Sequence, residues 1–238
     1  MLLVKRIDRR NFRAPLLIAG FPGIANVGRV SAEFLIQELK AKPFMEIYSS
    51  YLPEWVLREG SGISAFKIRL YRTKAKGKNL ILATSDAQAI SPFGQYKLSD
   101  QLLDAVKDYG VNTVITMAAY VLPPHDRKKG VFAAATNPAA FKKFWEKGAV
   151  ALDGGMIVGM NGLLIGLAGL RGWEGICLMG ATHGGLLDLE ASSHILRLLS
   201  EVYELNLKVE NLERYVTGLP DLRAPSGLEP TSEESPYI

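Results

Sequence analysis

The sequence predicts an α/β fold organised on a mostly parallel, buried sheet. Three observations predict it. Short runs such as Leu16–Gly20, Asn79–Ser85 and Gly175–Ala181 are apolar almost throughout, longer segments carry apolar side chains at helical spacing, and the two kinds alternate along the chain. A strand covered by helices on both faces needs apolar side chains on both, which produces continuous rather than alternating runs.

Taken in order, Leu16–Gly20 (LLIAG) is the first strand, and Phe21-Pro22-Gly23 forms the loop after it. Val27, Val30, Phe34, Leu35 and Leu39 then recur at helical spacing, so a helix is expected to about Lys40, before Pro43. Phe44–Tyr48 and Phe66–Tyr71 read as strands, the second alternating Phe66, Ile68 and Leu70. Asn79–Ser85 is expected to be central, because it is apolar on both faces. Leu102, Leu103 and Val106 place a helix over Ser99–Tyr109, with Gly110 as its C-cap. Val111–Ala118 and Val131–Thr136 are further strands, and Asn137-Pro138 opens a helix to Lys147 with proline at its first position. Gly155, Gly159, Gly162, Gly166 and Gly169 repeat at spacings of four and three, which on one helix would align them for close backbone approach. Gly175–Ala181 is a late central strand, and Leu186–Leu207 is the most regular amphipathic helix.

Composition narrows the function classes. The 28 basic and 24 acidic residues are dispersed, giving a net charge of +4 without the basic stripe that nucleic-acid binding requires. The densest basic stretch, Lys67 to Lys78, reads as a strand entering a solvated turn. A lone cysteine, Cys177, excludes a disulfide within the chain and fits a reducing compartment. The start, MLLVKRIDRRNFR, lacks the apolar core of a signal peptide. The most apolar stretch, Gly154 to Leu170, is short for a bilayer and holds six glycines and Asn161. A cytoplasmic protein with no membrane and no nucleic-acid partner is the expectation.

Candidate chemistry is sparse. The loop Gly20 to Gly28 (GFPGIANVG) joins a strand to a helix, where open α/β sheets bind ligands and helix amides can hold anions. Its spacing matches neither GxGxxG nor GxxxxGK[ST]. The competing reading is a tight turn that packs the helix on the sheet. His183 precedes Gly184-Gly185 at a strand end, with Asp188 and Glu190 behind it, one reading of which is a proton-transfer or metal site. The competing reading is a loop histidine beside an Asp188 helix cap. His125 belongs to a proline-fixed loop, His194 to a helix and Cys177 to an apolar strand, and Ser91-Pro92 is a turn signal. No catalytic constellation, cofactor motif or metal-ligand spacing emerges. An enzyme of phosphorylase or ligase type using the Gly20–Gly28 loop and His183 is the alternative reading.

Composition shifts at Gly218. Residues 219–238 hold prolines, acids and serines with few large apolar residues, too few to offset the entropy of ordering a packed element. The expected organisation is therefore a folded domain over 1–218 and a flexible acidic tail over 219–238. That tail ends in Pro236-Tyr237-Ile238, a rigid, an aromatic and an aliphatic residue beside a free carboxylate. On the residues alone, this reads equally as a docking motif or as an incidental end.

Three blocks, GFPGIANVG, GMNGLLIGLAGLRGWEGICLMGAT and LLDLEASSHILRLL, occur in that order and resemble the proteasome-assembly-chaperone family over about residues 14 to 216. The resemblance implies a three-layer α/β sandwich with a mostly parallel or mixed central sheet, similar to the nucleoside-phosphorylase-like architecture but without its catalytic residues. It implies a non-enzymatic, archaeal-type assembly chaperone or activator that forms homo-oligomers and binds proteasome α-subunits. It also implies that a C-terminal hydrophobic–tyrosine–any-residue motif docks between α-subunits. Tyr237 and Ile238 fill the last two places, and Pro236 stands where a larger apolar side chain would be expected.

Overall fold

The computed structural model describes residues 1–8 and 12–216. The expected boundary at Gly218, the tail 219–238 and its Pro236, Tyr237 and Ile238 lie outside the described residues.

Eleven strands and six α-helices follow one another among the described residues. The order is β1 (Leu2–Arg6), β2 (Leu16–Gly20), α1 (Val27–Glu38), β3 (Lys42–Ser49), β4 (Val56–Glu59), β5 (Gly62–Ala65), β6 (Ile68–Ala75), β7 (Lys78–Ser85), α2 (Pro92–Lys107), β8 (Thr113–Val121), β9 (Val131–Ala135), α3 (Pro138–Trp145), β10 (Val150–Ala151), α4 (Met160–Leu170), β11 (Glu174–Thr182), α5 (Leu189–Tyr203) and α6 (Leu212–Val216). Nine strands form one sheet in the order β1-β3-β6-β7-β2-β8-β11-β9-β10, and β4 and β5 form a separate hairpin. At its centre β7, β2, β8 and β11 run parallel, while β6, β3 and β1 on one side and β9 on the other are antiparallel to their inner neighbours.

The apolar runs mark this centre. Every residue of β2 is buried, as are the last six of β7. Two hydrophobic clusters lie on opposite sides of the sheet. One joins Leu17, Leu70 and Met179 to α2 and α4, and the other joins Ile18, Leu82 and Leu178 to α1, α3 and α5. The architecture is thus a three-layer α/β sandwich with a mixed sheet, as expected. None of the described helices is long and apolar enough to cross a membrane.

Local chemistry sets the element boundaries. Ser91 is not the turn that its Ser-Pro pair suggests. Its side chain accepts from the Gly94 N–H, Pro92 takes the first helical position, and α2 gains nearly two turns over the expected Ser99 start. Asn137 and Asp188 cap α3 and α5 in the same way, through Ala140 N–H and Ala191 N–H. The basic stretch behaves as expected. It forms β6 and a two-residue turn at Lys76 (φ 48°) and Gly77 (φ 79°), the left-handed pair that a tight hairpin requires. The glycine series does not form one stripe. Gly155 and Gly159 precede α4 with φ of 107° and 86°, and Gly166 faces open space.

Candidate functional site

The loop after β2 lies where α1 leaves for one face of the sheet and the β7–α2 connection leaves for the other. Such a divergence opens a crevice at the carboxyl ends of parallel strands. Here it encloses about 590 Å³, lined by Phe21, Gly23, Ile24 and Gly28, by Gln88 and Gln95, by the end of β8, and by the segment from Leu152 to Asn161.

The polar groups of this crevice are mostly used to hold its walls together. Asn161, buried in the first turn of α4, accepts from the Phe21 N–H at 3.2 Å and donates to the Phe21 carbonyl at 3.5 Å. Its own carbonyl accepts from Thr116 Oγ1 at 2.6 Å. The Gln88 amide donates to the Pro22 carbonyl and accepts from the Met160 N–H at 2.7 Å. Two amide side chains therefore stitch α4 to the β2–α1 loop. Gln95 donates to the Ala89 carbonyl at 2.6 Å, while its Oε1 is buried without a hydrogen-bond partner. Among the described residues, no charged side chain lines the crevice.

The glycines at 20 and 28 serve packing. A methyl group on Gly20 would overlap the Gly28 carbonyl, and one on Gly28 would overlap the carbonyl of Met117 in β8. Without a Cβ at either site, α1 starts in direct contact with the strands. The turn between them carries Ala25 (φ 49°) and Asn26 (φ 50°) in the left-handed region, costly for an alanine. Asp188 N–H donates to the Ala25 carbonyl and Asn26 Nδ2 to the Leu186 carbonyl, each at 3.0 Å, which holds the turn against the β11–α5 loop. The loop thus has the geometry of a tight packing turn, and four of its residues also line the crevice.

His183 is exposed in the β11–α5 loop and is not among the residues lining the crevice. Asp188 caps α5 and accepts from Thr182 Oγ1 at 2.6 Å, so its carboxylate is engaged in structure. Among the described residues no group of three or more His, Cys, Asp or Glu is placed to hold a metal ion. His125 is exposed, and His194 is half-buried on α5 with Nδ1 lacking a hydrogen-bond partner. Cys177 is fully buried in β11, and burial pushes its thiol up to about 12, against the weaker opposing effect of the Thr116 hydroxyl.

The ends of the parallel strands share a property that sequence periodicity does not display. Loops on this side present large apolar side chains to solvent, among them Ile24, Ile90, Val121, Met156, Val158 and Leu186. They come from five separate segments of sequence, only Met156 and Val158 sharing one, and the topology collects them.

A three-layer α/β protein with a stitched crevice is thus defined. Its residues 17–216 match the PAC2 family, and the chain belongs to that family. It is 31% identical to an uncharacterized protein of Methanocaldococcus jannaschii, over all of this chain and 99% of the relative. Among solved structures it resembles Pyrococcus furiosus PbaB, described as an archaeal proteasome activator, with 31% identity, coverage of 91% and 94% of the two chains and a TM-score of 0.83. P. furiosus PbaA, described as an archaeal homologue of proteasome-assembly chaperone, shares the fold at 24% identity, covering 90% of this chain and 87% of PbaA with a TM-score of 0.76.

Proposed function

We propose that this chain is a non-enzymatic proteasome assembly chaperone homologue or activator, acting in the cytoplasm as a homo-oligomer that binds proteasome α-subunits. The observation that carries this reading is the likeness to PbaB, which extends over nine-tenths of both chains at 31% identity. The crevice supports it from the chemical side. Its two stitching amides are turned to the walls, and apart from Gln95 and Tyr120 the rest of the described lining is apolar or backbone.

In this reading the contact with the α-ring is made by Pro236, Tyr237 and Ile238. A single short segment binds weakly, whereas several on one symmetric oligomer reach neighbouring pockets of a ring, and linkage raises the combined affinity. Residues 219–235 supply the spacer, about 20 Å in root-mean-square reach if they behave as a flexible chain.

The test compares the full chain with one lacking residues 236–238 for binding to purified archaeal proteasome core particle. Loss of binding in the shortened chain is expected. Equal binding by the two removes the docking role, and absence of binding by the full chain removes the proteasome as partner.

A further inference from the structure

We infer that the apolar face at the carboxyl ends of the parallel strands is a two-fold contact between copies of this chain, with the segment carrying Met156 and Val158 entering the crevice of the partner. The inference rests on the homo-oligomer of the preceding reading and names the surface that would form it.

Four exposed apolar side chains, Ile24, Val121, Met156 and Val158, line the crevice itself. Leu186, whose carbonyl is tied to Asn26, and Ile90, two residues beyond Gln88, extend the surface away from it. Isolated exposed apolar residues are ordinary, but a group gathered from separate loops around one cavity marks an interaction surface.

Three features select a second copy as the occupant. The first is charge. The chain carries a net +4, and self-association brings like charges together unless the contact is neutral. Among the described residues, the crevice lining contains no charged side chain. The same neutrality disfavours the acidic tail, whose carboxylates would find no cation among the described residues of the lining. The second is shape. The face holds both a cavity of about 590 Å³ and, at its rim, two apolar side chains that stand out at 92% (Met156) and 86% (Val158) exposure. Under a two-fold operator, the projection of each copy meets the cavity of the other, the self-complementarity that an isologous contact requires. The third is extent. A stable contact buries about 800 Å² on each partner, a scale suited to a face spread over several loops and larger than a three-residue peptide covers.

The experiment measures mass by light scattering during gel filtration for the full chain, Met156→Asp/Val158→Asp, Ile24→Asp and a chain ending at residue 218. The wild type should run at twice the 26.1 kDa chain mass or an even multiple of it, and each Asp variant at half its mass or less. The shortened chain should keep the wild-type number of subunits. Circular dichroism and a melting curve identify folded variants, and Ile24→Asp decides alone if the double variant fails to fold. A wild type at 26.1 kDa overturns both the homo-oligomer and this face. An oligomeric wild type whose folded Asp variants keep their mass overturns the face alone. Loss of the assembly only on removing residues 219–238 assigns the contact to the tail and overturns the inference. Proteasome binding by the chain lacking residues 236–238 is scored separately, so the tail reading stands or falls by itself.

Discussion

Asn161 and Phe21, 140 residues apart in the chain, are joined through both backbone groups of Phe21. The N–H donates to Asn161 Oδ1 at 3.2 Å, and the carbonyl accepts from Nδ2 at 3.5 Å. The amide thus acts as a short piece of ladder continuing past the end of β2. Buried backbone groups left without a partner cost about 1–3 kcal/mol each, more than the net gain of forming such a bond.

Asn161→Ala removes both partners at once, and the Phe21 groups would be stranded beside a cavity. We expect the unfolding free energy measured in urea to fall by at least about 1–3 kcal/mol. Asn161→Asp keeps the acceptor but replaces the donor with a buried charge, so it should fall further. An Asn161→Ala loss within about 0.5 kcal/mol, the range of an ordinary surface change, would show that the stitching is dispensable.

Glycines in helices offer a test in which two effects oppose. Alanine is favoured over glycine by about 1 kcal/mol in a helix interior. At Gly166, exposed on α4 with nothing near its would-be Cβ, that preference acts alone, and Gly166→Ala should stabilise by about 0.5–1 kcal/mol. At Gly28 the added methyl runs into the Met117 carbonyl, and overpacking of this kind costs about 1–3 kcal/mol or more. Gly28→Ala should therefore lower the melting temperature and Gly166→Ala raise it. The same sign for both would contradict the close approach of α1 to β8.

How far the sequence reveals this molecule depends on whether a feature is local. The central strands β2, β7, β8 and β11 are legible because burial on both faces makes each run apolar by itself. The capped start of α3 is legible because Asn137 and Pro138 carry their signal in two adjacent residues. The direction of β9 is not visible in its apolar run, which looks like that of its parallel neighbours. Its connection from β8 does hold a clue, since residues 122–130 contain no helix for a parallel crossover. The edge strand β1 and the β4–β5 hairpin escape because all of β1 is exposed and the hairpin lies outside the main sheet. Asn161 registers in the sequence only as a polar residue spoiling an apolar stretch. Its role depends on Phe21, which no spacing rule connects to it. The apolar face around the crevice is hidden for the same reason, one or two residues from each of several loops.

A buried charge cluster under α1 supplies a prediction in pH. Glu33 lies on α1, and Arg69 Nη2 approaches it at 3.6 Å and Asp86 at 2.8 Å. Arg29, one helical turn before Glu33, is 2% exposed, and its Nε and Nη2 have no hydrogen-bond partner. Burial raises the Glu33 carboxyl above its usual value, an effect only partly offset by Arg69 and then Arg29. Because the folded-state value is the higher one, the native protein holds the Glu33 proton at pH values where the unfolded chain has released it. The contribution of Glu33 to stability is therefore complete below about pH 4.5 and declines as pH rises through its folded-state value. Glu33→Gln has no proton to lose. Its stability relative to the wild type should rise from pH 4 toward neutrality, as measured by urea unfolding at a series of pH values. Glu46, whose carboxyl is lowered with Tyr48 and Lys67 as partners, titrates in the opposite sense, but it is common to both proteins and cancels in the difference. A difference that is flat or shrinks with rising pH would mean that the arginines outweigh burial at Glu33, and that the cluster is held by its ion pairs.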